Sequence, residues 1–502
     1  MEAGSAYAEL VRRSRERALL GSCSALLGWD EQTYLPRGGS SYRGEQMALL
    51  AGLQHERATD PALGDLLGTV EGSSVVAGGD SPEAANVREW RRGYDRATKL
   101  PRSLVEALAR VTTVAQGVWV EARRVDDFAR FRPILEETVA LKKQEGGCLA
   151  GPGGDPYDAL LDEYEPGASS RDLARLFAAL RSDLVPLVAA IADSGQAPAK
   201  IEGDFPVDRQ KVFGEAVAAA IGFDFERGRL DTAAHPFCSG IGPGDCRITT
   251  RYDPADFTDG FFSILHEVGH GLYEQGLDPA HQGTPMGEAV SLGVHESQSR
   301  LWENAIGRSR AFWSHWLPLA RSVFRDPLHA VDLDAFHAAI NRVEPSLIRV
   351  QADEVTYNLH ILIRFELEQA LLGGDLLVAD LPEAWDAKYR DYLGIDPPDD
   401  ASGCLQDIHW AAGLVGYFPT YTLGNLYAAQ LRDRADGELG GLEAGLARGD
   451  FAPLLAWLRE NVHLPGHRYP AADLIRRATG SEIDHRPLVR SLRDKYGPIY
   501  GL

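Results

Sequence analysis

Two histidines and a glutamate in His266-Glu267-Val268-Gly269-His270 carry the most specific chemistry in this sequence. Histidines four residues apart lie on one face of an α-helix, so both imidazoles can bind the same metal ion. The sequence holds 14 histidines and 73 acidic residues among 502. A chain of this composition would contain the pattern by chance only about 0.06 times. The pentapeptide therefore predicts a metal site, with Glu267 placed to take a proton from a metal-activated water.

A catalytic zinc site needs a third protein ligand and leaves the fourth position for water. Glu296 is our prediction for that ligand, because enough chain separates it from His270 for a turn and an antiparallel second helix. His281 and His295 are alternatives. His281 lies in a Gly/Pro loop, where a histidine is more often solvated, and His295 is more often a hydrogen-bond partner of a ligand. The predicted set is His266, His270 and Glu296.

The sequence after His270 excludes one class of metalloprotease. Metzincins continue the motif with a glycine and a further histidine, but Tyr273 and Gly276 stand at those positions. Glu274, one helical turn after His270, is a candidate acceptor for an imidazole N–H, although an exposed or capping role is equally compatible with its position.

The residues around the motif predict the helix that carries it. Asp253, Pro254 and Asp256 form a helix-start pattern of cap, first-turn proline and acid, and Gly276 offers an end. At about 100° per residue, one face is apolar and the two histidines lie on the opposite side. The apolar face consists of Phe257, Phe261, Ile264, Leu265, Val268 and Leu272. Both faces of this helix should therefore be buried.

The acidic composition argues against two kinds of partner. Lys and Arg total 51 and Asp and Glu total 73, which gives a net charge of −22. Such a surface repels a phosphate backbone and an anionic membrane, so we expect neither nucleic acid nor a membrane as partner. With 44% hydrophobic and 25% charged residues, the composition is that of an average globular protein. No apolar run approaches the roughly 18 residues of a bilayer-spanning helix.

The cysteines and the N-terminus predict a cytoplasmic location. Five cysteines, an odd number, are scattered without a CxxC pair, which indicates reduced thiols rather than a disulfide framework or a cysteine zinc site. They are Cys23, Cys148, Cys238, Cys246 and Cys404. Arg12 and Arg13 precede any apolar run, so the order of a secretory signal is missing.

Helical periodicity dominates the rest of the chain. Apolar residues recur at spacings of three and four in segments such as 173–184 and 357–372, and strand-like alternation is scarce. The exception, residues 246–252, follows a Gly-Pro-Gly turn and predicts a small β-hairpin near residues 235–252. No stretch requires an interdomain linker. We therefore predict one all-α domain over residues 1–502.

Six short motifs, in order, resemble those of the carboxypeptidase Taq-like zinc or cobalt metallocarboxypeptidases. Together they are far more specific than the histidine motif alone, and the likeness covers nearly the whole chain. Besides residues 266–270, the motifs are His235-Pro236-Phe237, Asp245-Cys246-Arg247-Ile248-Thr249, His295-Glu296-Ser297-Gln298, Ile348-Arg349-Val350-Gln351-Ala352-Asp353 and Gly403-Cys404-Leu405-Gln406-Asp407-Ile408-His409-Trp410.

The resemblance implies an all-α fold with a deep central groove and a metal at its base. It also implies a homodimer, a Zn²⁺ or Co²⁺ cofactor, and removal of single residues from peptides with a free C-terminus. A donor must stabilise the oxyanion of the tetrahedral intermediate. By resemblance, His409 and Tyr421 are candidates, with Tyr417 as the alternative tyrosine.

An exopeptidase needs a fixed cation for the terminal carboxylate of its substrate, and the planar fork of arginine suits a carboxylate. Arg349 is our prediction, and the alternative is an internal ion pair between Arg349 and Asp353. The resemblance also suggests that His235 and Arg247 lie near the groove, although a structural role in the hairpin is equally compatible with their positions.

The competing functions are a helical zinc oligopeptidase that cleaves internally and a non-catalytic, zinc-stabilised binding scaffold. Glu267, which a structural zinc does not need, argues against the scaffold.

Overall fold

Twenty-one α-helices contain most of the chain in the computed structural model, which describes all 502 residues. The helices are α1 (Ala3–Thr33), α2 (Ser40–Ala58), α3 (Pro61–Val70), α4 (Pro82–Lys99), α5 (Arg102–Val125), α6 (Phe128–Ala150), α7 (Pro156–Leu161), α8 (Ser170–Asp193), α9 (Val207–Ile221), α10 (Phe257–Gly276), α11 (Leu292–Arg300), α12 (Arg310–Val323), α13 (Arg325–Leu328), α14 (Leu333–Ile340), α15 (Tyr357–Gly373), α16 (Leu381–Leu393), α17 (Pro419–Glu438), α18 (Glu443–Leu446), α19 (Ala452–Leu458), α20 (Ala471–Thr479) and α21 (Arg486–Tyr500). The predicted all-α class is confirmed. None of these helices combines the length and the apolar character needed to span a bilayer.

One small sheet interrupts the helices. Its strands are β1 (Gly228–Thr232), β2 (Cys238–Gly242) and β3 (Asp245–Thr250), in the order β1-β3-β2. Strands β2 and β3 pair antiparallel, as the predicted hairpin requires, and β1 pairs parallel to β3. The sequence did not predict β1, because Leu230 is the single large apolar residue among its five. A parallel partner distant in sequence leaves no local turn signal.

The N-cap of helix α10, which carries the histidine motif, lies three residues after the predicted one, Asp253. Asp256 is the N-cap, and its Oδ1 accepts the N–H of Thr258 at 2.8 Å. Asp253 instead accepts the N–H of Ala255 in the preceding turn, because the Asp-Pro pair forms a bend of its own. The helix ends at Gly276, as predicted. All six residues of its predicted apolar face are at most 3% exposed.

Two apolar clusters hold the chain together. The main one contains 95 buried residues between Ala115 and Tyr500, and a second one of eight residues joins α1, α3 and α4. Contacts to the sheet connect this N-terminal group to the rest, since the hydroxyl of Tyr34 donates to Asp231 at 2.6 Å. The guanidinium of Arg247 also lies 4.2 Å from the ring centre of Trp29. We propose on this basis that residues 1–502 form one domain.

Close backbone packing brings α10, α11 and α17 together. A Cβ at Gly269 would lie 2.4 Å from the carbonyl oxygen of Gln298, so only glycine allows α10 to approach α11 this closely. A Cβ at Gly424 would likewise lie 2.5 Å from Cγ of Glu296. These two glycines place α10, α11 and α17 around one space.

Candidate metal centre and active site

His266, His270 and Glu296 meet at one point between α10 and α11. The Nε2 atoms of His266 and His270 lie 3.6 Å and 3.5 Å from the same oxygen, Oε2 of Glu296. All three ligand atoms lie within 4.8 Å of one another, the spacing of groups that share one metal ion. His281 is not in this group and instead has Nε2 4.0 Å from Asp278. The predicted set is thus brought together by the fold.

A carboxylate holds the first histidine directly. Nδ1 of His266 lies 2.8 Å from Oε2 of Glu303, which also accepts a hydrogen bond from Arg300 at 3.1 Å. Glu303 lies in the π-helical turn Leu301–Ile306 that follows α11, and such turns are frequent at functional sites. Glu303 was not predicted from the sequence. Its spacing of seven residues from Glu296, two helical turns, was the available signal.

A second imidazole holds the other histidine. Nδ1 of His270 lies 2.6 Å from Nδ1 of His295, and Nε2 of His295 lies 2.9 Å from Oε1 of Glu274. His295 therefore occupies the hydrogen-bonding position next to a ligand, one of the two roles considered for it. Glu274 accepts from His295 rather than from His270.

Glu296 is fixed through both of its oxygens. Arg300 donates to Oε1 at 2.7 Å and the hydroxyl of Ser299 donates to Oε2 at 3.1 Å. Burial alone would raise the pKa of Glu296, but Arg300 and His266 hold it well below its usual range. Glu296 is consequently a carboxylate, which is the form that binds a metal.

Glu267 lies beside the ligands and forms no hydrogen bond with another residue. Glu267 is only 6% exposed. Burial raises the pKa of its carboxyl group to about 7; the nearby charge of His266 opposes this rise, and that of Glu296 adds to it. A carboxylate with a raised pKa and no competing partner suits proton transfer near neutral pH.

A buried ion-pair cluster contains Arg349. Its Nε and Nη2 donate to Oδ1 of Asp407 at 2.9 Å and 2.8 Å, and Arg364 donates to the other oxygen of Asp407 at 2.7 Å. The alternative pair with Asp353 does not form. Arg349 lies on a short 3₁₀ turn rather than on a helix with Asp353, whose carboxylate accepts the N–H of Thr356 in the turn before α15. Asp407 and Arg364 were not predicted, although Asp407 belongs to the motif of residues 403–410.

His409 and Tyr421 lie beside this cluster. Nε2 of His409 is 3.3 Å from the hydroxyl of Tyr421, and burial lowers the pKa of His409 to about 4. Cζ of Arg349 lies 5.1 Å from the ring centre of Tyr421. Tyr417 is also close, with its ring centre 5.5 Å from that of His409. His409 and Tyr421, the residues predicted to stabilise the oxyanion, are therefore neighbours of Arg349, the residue predicted to bind the substrate carboxylate.

Tyr357 connects the ion-pair cluster to the metal ligands. Its hydroxyl accepts from Nη1 of Arg349 at 3.2 Å, and Cζ of Arg300 lies 4.4 Å from its ring centre. Arg300 in turn binds Glu296. One turn after Tyr421 on α17, Gly424 contacts Glu296. The two clusters thus belong to one site.

His235 and Arg247 lie at the sheet, and neither forms a hydrogen bond or an ion pair with His266, His270 or Glu296. His235 is exposed in the bend before β2 and forms no side-chain hydrogen bond. Arg247 on β3 donates to both oxygens of Asp245 at 2.8 Å and stacks on Trp29. The contacts of Arg247 are those of the structural role in the hairpin that the sequence left open for it.

A remote carboxylate anchors the helix that carries Glu296. Oε2 of Glu165 accepts the N–H of Gly293 in the first turn of α11 at 3.0 Å, and Oε1 accepts the hydroxyl of Tyr427 on α17 at 2.9 Å. Burial raises the pKa of Glu165 to about 7. No spacing rule linked Glu165 to the motif, since 128 residues separate it from Gly293.

The donor set fits a divalent metal ion. Two imidazole nitrogens and one carboxylate oxygen converge, and each imidazole has its other nitrogen engaged, which is the pattern of catalytic zinc sites. With Glu267 beside the ligands, the fold and the site define a helical metallopeptidase.

Residues 9–496 match the family model described as "Carboxypeptidase Taq (M32) metallopeptidase". The chain is 51% identical to thermostable carboxypeptidase 1 of Thermus thermophilus over 99% of both chains, and 39% identical to carboxypeptidase 1 of Bacillus subtilis over 95% of both. Its structure matches the crystal structure of the M32 carboxypeptidase from Deinococcus radiodurans R1 with a TM-score of 0.96 and 44% identity, over 99% of this chain and 100% of that one. The chain belongs to the carboxypeptidase Taq (M32) metallopeptidase family.

The chain is accordingly a metal-dependent carboxypeptidase, a hydrolase that removes single residues from peptide C-termini. These matches to carboxypeptidases do not favour the two alternatives, an oligopeptidase that cleaves internally and a non-catalytic scaffold.

Proposed function

We propose that His266, His270 and Glu296 bind one Zn²⁺, with Co²⁺ as the alternative metal, and that Glu267 is the general base. The observation that carries the proposal is the convergence of the three ligand atoms within 4.8 Å beside a carboxylate without a hydrogen-bond partner. A bound metal supplies Lewis acidity to the scissile carbonyl and to the attacking water. Glu267 takes the proton of that water and passes it to the leaving amine.

His409 and Tyr421 are the proposed donors to the oxyanion. Support comes from the 3.3 Å separation of His409 Nε2 from the Tyr421 hydroxyl and from the lowered pKa of His409. A neutral imidazole and a phenol can each present one N–H or O–H to a developing negative charge. Tyr421 is preferred to Tyr417 because it also lies against Arg349.

Arg349 is the proposed site for the terminal carboxylate of the substrate. Asp407 occupies the side of the guanidinium formed by Nε and Nη2. After the bonds to Asp407 and Tyr357 are counted, Nη1 and Nη2 each keep one N–H for a further acceptor. Paired N–H donors of a guanidinium can bind a carboxylate in a fork geometry. In this proposal Asp407 and Arg364 orient Arg349, and His235 and Arg247 contact the peptide further along the groove.

Peptides offered as free acids and as C-terminal amides should test this assignment. The wild type should strongly prefer the acid, because an amide leaves a buried guanidinium without its ionic partner. Arg349→Ala should lose about 2–5 kcal/mol in kcat/KM for the acid and much less for the amide, with unchanged metal content.

Arg247→Ala is the matched control and should keep the preference for the acid. If Arg349→Ala still discriminates as the wild type does, Arg349 serves only to pair with Asp407. Loss of discrimination in Arg247→Ala would then assign the carboxylate to Arg247.

A cytoplasmic homodimer completes the proposal. All five cysteines are free, although the Sγ atoms of Cys238 and Cys246 lie only 3.7 Å apart, and this supports a reducing compartment. The family resemblance supports the dimer. Leu19 and Leu49 of the first two helices are each 65% exposed, so apolar surface is available for a second copy.

A further inference from the structure

We propose that Glu274 and His295 form a positioning relay for His270, in which Glu274 strengthens metal binding only through His295. The inference rests on the proposed metal site. It concerns how the second histidine ligand is oriented, and the relay consists of Glu274, His295 and His270.

The position of the proton on His270 follows from which of its nitrogens faces the metal site. Its Nε2 faces Glu296, the side on which the ligand atoms converge, at 3.5 Å from Oε2. An imidazole that binds a metal through Nε2 carries its proton on Nδ1. Nδ1 of His270 lies 2.6 Å from Nδ1 of His295. His270 therefore donates this hydrogen bond and His295 accepts it.

The hydrogen bond from His270 fixes the tautomer of His295. Because its Nδ1 accepts, its single proton lies on Nε2, which is 2.9 Å from Oε1 of Glu274. A carboxylate is an acceptor, so Glu274 holds His295 in the tautomer and orientation that His270 requires. The ring centres of the two imidazoles lie 4.5 Å apart and their planes are inclined by only 29°, so the hydrogen bond runs close to both ring planes.

The surrounding structure leaves room for this arrangement. A Cβ at Gly240 on β2 would lie 2.5 Å from Oε2 of Glu274, so glycine at that position provides the space for the carboxylate. His266 differs, because Glu303 contacts its Nδ1 directly at 2.8 Å. The two ligands are thus held in different ways, one by a carboxylate and one by an imidazole that a carboxylate orients. Glu274 should therefore have no effect of its own once His295 is removed.

A double-mutant cycle on metal affinity tests the relay. Glu274→Met removes the acceptor at similar length, and His295→Phe removes both hydrogen bonds but keeps an aromatic ring. Zn²⁺ and Co²⁺ affinities of the full-length protein are measured by competition with a chromophoric chelator. We expect each single variant to bind about 10–100-fold more weakly. The double variant should bind no more weakly than His295→Phe, within about twofold.

Several results would overturn the relay. If the losses multiply in the double variant, Glu274 acts independently of His295. If either single variant binds like the wild type, that residue does not position His270. His281→Asn, which changes a histidine outside the relay, should retain the wild-type affinity. A wild type that binds neither metal would contradict the proposed metal site instead, so the two failures are distinguishable.

A second variant protects the test against misfolding. If His295→Phe does not fold, as judged by its melting temperature without metal, His295→Asn replaces it in the cycle. Asparagine offers His270 an acceptor near the position of Nδ1 but is too short to reach Glu274. In that background, Glu274→Met should cause no further loss of affinity, and a further loss would contradict the relay.

Discussion

Replacing Glu267 with glutamine should leave about one metal ion per chain and lower kcat by about 10²–10⁴-fold. Glutamine preserves the size of the side chain but cannot accept the proton of the attacking water. Glu267 forms no hydrogen bond with another residue, so its replacement leaves no partner unpaired and should not disturb α10. The measurement pairs metal content, determined by elemental analysis, with steady-state kinetics on an unblocked peptide.

Glu163→Gln provides a matched control for that experiment. Glu163 is exposed and pairs with Arg96 at 3.2 Å, away from the ligands, so this variant should keep wild-type kcat and metal content. A Glu267→Gln protein that remains active with its metal bound would contradict the general-base assignment. Loss of metal from the same variant would instead make Glu267 part of the binding site.

Replacing Glu296 with alanine should remove metal and activity together. Two imidazoles would remain as ligands, and Arg300, now without the carboxylate that it binds at 2.7 Å, would place a buried positive charge beside the vacated position. We expect metal affinity to fall by more than the about 10–100-fold typical of residues that only orient a ligand. Activity should follow the metal content in a titration with added Zn²⁺.

The comparison with Glu267→Gln makes this second prediction specific. Glu267→Gln should separate metal binding from catalysis, whereas Glu296→Ala should lose both. If Glu296→Ala keeps a full complement of metal, Glu296 is not the third ligand. A variant of His281 or His295 that loses all metal would then identify its replacement.

Local patterns were sufficient to predict the helix that carries the two histidines. Helix α10 could be predicted because its apolar face and its two histidines both follow the helical period. Its start was misplaced by three residues because Asp253 and Asp256 each resemble a cap, and only the hydrogen bond from Thr258 distinguishes them. Glu296 required a further inference about a turn and a second helix, and the fold brings it to the two histidines.

Contacts between residues distant in sequence could not be predicted in the same way. Arg349 pairs with Asp407, 58 residues away, and Glu165 anchors α11 across 128 residues. No periodicity relates such residues, because they meet only when separate helices pack. Glu303 was within reach of a spacing argument, but the π-helical turn that carries it has no simple sequence signal.

A crystal structure of the metal-loaded protein, with the metal located by its anomalous scattering, tests the central claim most directly. We predict one metal ion about 2.0–2.2 Å from a carboxylate oxygen of Glu296 and about 2.0–2.1 Å from Nε2 of His266 and of His270. Glu267 should lie beside the metal without binding it. A metal ion bound by His281 or His295 in place of Glu296 would contradict the account.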